Sequence, residues 1–175
     1  MCNNGAMTQH RFVGTRPEAA SFDAVTVNEF PWMKPRGGGL WTSPPINGHV
    51  SAWIEWMTDN GFDSPPWPVW ALTPIYPRVF TIDCQDDLVW LVDTYRHSHV
   101  VEHFDDKPAW DQIAEDFDAV TLTEEGLWRT HLPTNGGPDL YGWDCASTLW
   151  LNWCFDDITY LGVTEDGKTL ELTDS

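Results

Sequence analysis

The sequence predicts one α+β domain, and three observations carry that reading. Three segments space their apolar residues with helical period. Apolar stretches of strand type crowd the second half of the chain. Strands and helices do not alternate regularly, which argues against a doubly wound sheet. The chain has 175 residues, which suits one domain with its own core. We read residues 1–9 as a flexible N-terminus and 10–175 as the domain.

Along the chain, His10-Arg11-Phe12-Val13 reads as a short strand ending in a turn at Gly14-Thr15. Glu18 to Val27 reads as either a short helix or a strand. Asn28 to Gly39 reads as loop, and Leu40-Trp41-Thr42-Ser43 as a short strand stopped by Pro44-Pro45. The first helix has Asn47 as its expected cap, with Val50, Trp53, Ile54 and Met57 on one face and Asn60-Gly61 as its stop. A second follows Asp83, with Leu88, Leu91, Val92 and Tyr95. A third carries Trp110, Ile113, Ala114 and Phe117.

Strands are expected at Val69–Leu72, Arg78–Ile82, Asp118–Leu122 and Thr148–Phe155. Ile158–Val163 and Thr169–Leu172 flank Asp166-Gly167, a hairpin signal. Glu124-Glu125 and Asp156-Asp157 read as solvated turns.

Composition narrows the function classes. The formal charge is −18. Residues 101–175 hold 17 acids against Lys107, Arg129 and Lys168, whereas four acids and four bases balance over residues 1–58. Such a surface disfavours nucleic acid and anionic membranes and favours a basic partner, unless it serves only solubility. No stretch is apolar enough to span a bilayer. Met1 to Gly5 lacks the basic and apolar regions of a secretion signal, so a cytoplasmic location is expected.

Cys2, Cys84, Cys145 and Cys154 are widely spaced and form no CxxC pair. They read as reduced thiols, with a Cys145–Cys154 bridge as the alternative. His97, His99 and His103, with Glu102 and Asp105 nearby, have the residue types of a metal set. No third ligand stands at useful spacing, and no metal is expected.

The twelve tryptophans are the compositional outlier. Large rings of this kind line cores, pockets or contact surfaces. The segment richest in chemistry is Lys34-Pro35-Arg36-Gly37-Gly38-Gly39-Leu40-Trp41-Thr42-Ser43-Pro44. Its glycines allow close backbone approach to a ligand. Two cations precede them, and a ring with two hydroxyls follows. Trp41 reads either as a core ring or as a stacking platform. Ser43 reads either as a ligand contact or as a strand end. Lys34 and Arg36 read as phosphate contacts or as solvated loop charges.

In order and spacing, Arg11 to Asp83 resembles an ADP-ribosyltransferase-type domain. The resemblance rests on Val13-Gly14-Thr15, then Gly38-Gly39-Leu40-Trp41-Thr42-Ser43, then Ser51-Ala52-Trp53, then Arg78 to Asp83. The Lys34–Pro44 wording, with Ser51 to Trp56, also resembles actinobacteriophage proteins, which implies a host cytoplasm as the place of action. The family resemblance implies a mixed or antiparallel split sheet with about three amphipathic helices.

It further implies NAD as substrate, with transfer of ADP-ribose to a host macromolecule or hydrolysis of NAD. Gly14, Thr15, Arg16, Gly39, Trp41 and Thr42 would contact NAD: Gly14 backbone on the amide, Trp41 near the nicotinamide, Thr42 or Ser43 on the ribose. Two departures stand out. Val13 occupies the position where the family carries His or Arg, with His10 and Arg16 nearest to replace it. No glutamate matches the family's late catalytic acid. The best region is Tyr141 to Thr148, where Asp144 is the carboxylate and Ala146 stands where a ligand-facing residue is expected. Asp144, Ser43 and Ala146 are thus the candidate catalytic positions, in an active or a disabled member. The alternative is a non-enzymatic acidic protein that inhibits a host protein or imitates DNA.

Overall fold

The computed structural model describes residues 10–25, 33–35, 37–46, 50–62, 66–96, 108–131, 137–165 and 169–171. The elements run β1 (His10–Val13), a 3₁₀ turn (Ala19–Ser21), β2 (Leu40–Thr42), β3 (Pro45–Ile46), β4 (Val50–Ser51) and α1 (Ala52–Asp59). Then come β5 (Pro68–Pro74), β6 (Val79–Ile82), α2 (Gln85–Thr94), α3 (Trp110–Asp116) and β7 (Ala119–Leu122). The chain continues with α4 (Glu124–Thr130), β8 (Ser147–Trp150), β9 (Phe155–Glu165) and β10 (Thr169–Glu171). The fold is α+β in one domain. Asp166-Gly167, the three histidines with Glu102 and Asp105, Asn47, Arg36, Cys2 and the N-terminal nine lie outside the described residues.

Two four-stranded sheets organise the molecule. The first has the order β1-β5-β9-β10 and is antiparallel throughout. The second has the order β2-β8-β7-β6 and is mixed, with β6 and β7 parallel. A parallel pair needs a long crossover, and the stretch bearing α2 and α3 supplies it. The sheets meet at their edges. One isolated bridge, Arg11 to Ser43, joins β1 to the end of β2 among the described residues. Arg11 N–H donates to Ser43 O (2.9 Å) and Ser43 N–H to Arg11 O (3.0 Å).

Alternation along β8 explains how the layers are filled, since successive side chains leave opposite faces. Leu149 enters the main core with Leu88, Leu91, Ile113, Val120 and Trp143. Trp150 enters a second cluster with Leu72, Ala119 and Phe155. All four β8 residues are buried, as a strand covered on both faces must be. A separate cluster holds α1 against the first sheet through Ile54, Met57 and Val69.

The three expected helices are present, and each leaves one residue of its apolar pattern outside: Val50, Tyr95 and Phe117. The first begins at Ala52, because Ser51 Oγ accepts the N–H of Ile54 (3.3 Å); Val50 belongs to β4 instead. The second begins after Cys84 rather than Asp83. Its first turn folds back, with Asp87 Oδ2 accepting the N–H groups of Asp83 (2.9 Å) and Cys84 (3.0 Å). A fourth helix stands where Glu124-Glu125 read as a turn. Thr123 Oγ1 caps it by accepting Gly126 N–H (3.0 Å). Gly126 is required there: an added Cβ would lie 2.0 Å from the Ile82 carbonyl oxygen. The Thr148–Phe155 stretch is not one strand, since β8 ends at Trp150 and β9 starts at Phe155; Asp156-Asp157 lie within β9. Among the described residues, no helix is long and apolar enough to cross a membrane.

Candidate functional site

Where the two sheets part, a cavity of about 300 Å³ opens. β1 contributes Arg11, Phe12 and Val13, and β2 with the residue after it contributes Trp41, Thr42 and Ser43. Lys34 enters from the preceding loop and Trp53 from α1. Trp143, Asp144, Cys145 and Ser147 enter from the segment leading into β8. Trp41, Thr42, Ser43 and Asp144, all singled out from sequence, therefore meet around one space. Two segments far apart in the chain bring them there.

The geometry gives these side chains unequal freedom. Thr42 is buried and fully engaged. Trp150 Nε1–H donates to Thr42 Oγ1 (2.8 Å), and the hydroxyl contacts His10 Nδ1 (3.3 Å). Which of the two donates in that contact is set by the imidazole tautomer. Burial, and secondarily Arg11, lower the His10 pKa from 6.5 to about 4, so this imidazole is neutral at pH 7. Ser43 Oγ accepts, among the described residues, only the long bond from Trp53 N–H (3.4 Å), which leaves its own proton for a ligand. Among the described residues, no imidazole or carboxylate bonds Ser43, so it is a hydrogen-bond donor rather than an activated nucleophile.

Asp144 lies 3.5 Å from Lys34 Nζ, and that ammonium stands 5.1 Å from the centre of the Trp41 ring. Carboxylate, ammonium and indole thus form one row. Both charged groups are more than a third exposed, so the pair is easily exchanged for a ligand. Trp41 is fixed edge-on against Trp143 (4.7 Å between centres, 75°). Cys145 is a poor nucleophile. Burial first, then the Asp144 charge, push its thiol up to about 12, against a smaller opposing effect of Lys34. Cys84, Cys145 and Cys154 are free thiols.

Other singled-out residues lie elsewhere. Gly14, Thr15 and Arg16 do not line the cavity. Gly14 N–H donates to Pro68 O (2.9 Å), and Gly14 O accepts Trp70 Nε1–H (3.0 Å), so both backbone groups are occupied. Arg16 lies over Trp70 and pairs with Glu18. Gly39 serves packing. Its φ is +73°, its N–H donates to Asp23 O (2.7 Å), and a Cβ would lie 2.7 Å from Leu149 Cδ1. Ala146 is buried and faces a different space.

That space is a groove of about 700 Å³ on the other side of the Asp144-Cys145 segment, which borders both cavities. α1 and α4 form its walls. Trp53 and Trp56 stack (5.0 Å, 19°), with Trp53 lining the first cavity and Trp56 the groove.

Arg11 and Trp143 were not singled out from sequence. A signal for Arg11 was present, since the strand period of two puts it on the face of Val13, the position where the resembled family carries a cation. Both residues line the cavity. Arg11 is 8% exposed, and burial lowers its pKa from the ordinary guanidinium value. Nothing local in the sequence marks Trp143 apart from the other tryptophans.

No family model matches this chain, and comparison with the curated proteins and with the solved structures finds no match either.

Proposed function

We propose that this chain is an ADP-ribosyltransferase-like protein that holds the nicotinamide riboside half of NAD in the cavity between the two sheets. One observation carries the reading. The seam between β1 and β2 gathers a stacking ring (Trp41), a donor hydroxyl (Ser43), two cations (Arg11 and Lys34) and one carboxylate (Asp144) around about 300 Å³. A split mixed sheet alone would be an argument from fold, which does not fix function. The residue set is what supports the ligand.

The roles follow from the chemistry. Trp41 stacks on the nicotinamide. Ser43 donates to a ribose hydroxyl; Thr42, engaged by Trp150 and His10, holds the strand instead. Arg11 and Lys34 face the anionic pyrophosphate, which draws Lys34 off Asp144. Asp144 then lies bare beside the ribose, where negative charge stabilises the cation that develops as the glycosidic bond breaks. The nicotinamide leaves with the bonding electron pair, and an acceptor nucleophile or water takes its place at that carbon.

Calorimetric titration with NAD tests the binding. We expect NAD to bind, Trp41→Phe to retain binding, and Trp41→Ala to weaken it by about tenfold, in line with one stacked ring. Asp144→Asn should keep NAD and lower nicotinamide release about 100-fold. Equal NAD affinity in folded Trp41→Ala and parent proteins would remove the site. NAD binding without nicotinamide release by the parent would mark a catalytically disabled member.

A further inference from the structure

We propose that the groove between α1 and α4 docks a lysine- or arginine-bearing segment of a partner protein. The groove is more than twice the volume of the first cavity, about 700 Å³ against about 300 Å³. One wall is the face of α1 that presents Glu55, Trp56 and Asp59. The other is the face of α4 that presents Glu124, Leu127 and Trp128. Glu55 and Asp59 are four apart, as are Glu124 and Trp128, so each pair projects together from its helix.

Among the described residues the charge in the groove has one sign: Glu55, Asp59, Glu124 and Asp144 line it, and no lysine or arginine does. Of the four, only Asp144 pairs with a described base, and that base, Lys34, lines the first cavity. His10 also lines the groove and adds no positive charge at pH 7, since burial keeps it neutral.

The aromatic lining gives a second, independent reason to expect a ligand. Trp128 is 78% exposed, although an indole of that size is ordinarily buried or in contact. No described ring packs on it, and Glu124 stands one turn before it. Trp56 opposes it from α1, held in a stack with Trp53 (5.0 Å) and Phe62 (5.4 Å). An exposed indole face beside carboxylates is the chemistry that holds guanidinium and ammonium groups.

A peptide fits better than a small cation. Pro44, Pro45 and Ile46 give the groove an apolar side that a lone polyamine would leave wet. A basic segment brings both charge and apolar backbone surface, and the chain's −18 charge speeds its arrival. Docking does not depend on NAD. What rests on the NAD reading is only the consequence that a docked segment would lie beside Asp144, which borders both spaces.

Fluorescence anisotropy of a labelled hexa-arginine peptide tests this. Because any basic peptide feels an acidic protein, two variants of equal charge are compared. Glu55→Gln/Asp59→Asn/Glu124→Gln alters the groove, and Asp86→Asn/Asp156→Asn/Asp157→Asn alters exposed acids elsewhere. We expect the groove variant to lose about tenfold or more in affinity and the other less than about twofold. Trp128→Ala alone should lose about fivefold. All altered side chains are exposed, so the fold survives each change. Equal loss in the two triple variants, or no binding by the parent, would overturn the site. Spermine competing as well as the peptide would overturn the peptide as its occupant. NAD titration of the groove variant should be unchanged, so failure here and failure of the NAD reading register separately.

Discussion

At the scale of single residues, the hydroxyl of Thr42 shows how a side chain predicted to meet a ligand can be claimed by the fold. Trp150 donates to it, and it bonds His10. The burial that keeps this imidazole neutral gives a pH signature. His10 has a folded pKa of about 4 against 6.5 in the open chain. Between those values the unfolded chain binds the proton and the folded one does not. Stability therefore falls as pH drops through this window, by at most about 3 kcal/mol from this group. Urea midpoints at pH 7 and pH 5 should differ more for the parent than for His10→Gln; an equal difference would show that His10 does not carry the effect.

The residue scale also marks where the sequence was legible. Trp41 and Ser43 could be chosen from residue type and order, Asp144 only through the family resemblance, and the three share a cavity. Gly14, Thr15 and Arg16 stood as close in sequence to the expected site but lie outside it. The backbone turns after Val13, and no pattern in the residues announces which way. Arg11 hid behind the expectation that the cation should directly precede the glycine.

At the scale of elements, period was readable and ends were not. The apolar spacing of α1, α2 and α3 identified all three helices. The starts of α1 and α2 are set by local side-chain hydrogen bonds, from Ile54 N–H to Ser51 and from the N–H groups of Asp83 and Cys84 to Asp87. α4 escaped because it has seven residues and little apolar face, with Gly126 at its point of contact. That contact allows a sharp comparison. Gly126→Ala forces a methyl against the Ile82 carbonyl and should cost about 1–3 kcal/mol. Gly37→Ala meets nothing within 4 Å and should stay within about 0.5 kcal/mol. Denaturant unfolding of both variants checks the pair; similar midpoints would mean that α4 shifts away from β6 at little cost.

At the scale of the whole molecule, one backbone bridge joins the two sheets among the described residues, and β8 gives them a common interior. Leu149 packs to one side of that strand and Trp150 to the other. The halves should therefore lose structure together. Far-ultraviolet dichroism and tryptophan fluorescence should give coincident urea transitions, whereas separated midpoints would divide the molecule at the β1–β2 seam. The α+β class was legible because it depends on many weak signals that agree. The split between sheets was reached only through a family resemblance, since pairing among ten strands depends on contacts distant in sequence.

The stack of Trp53 on Trp56 has a use beyond packing. Two indoles held 5.0 Å apart and 19° from parallel share their electronic excitation. One borders the cavity between the sheets and the other the acidic groove. The protein thus carries a native exciton pair spanning its two candidate sites, an optical gauge that needs no label and that a ligand in either space would detune.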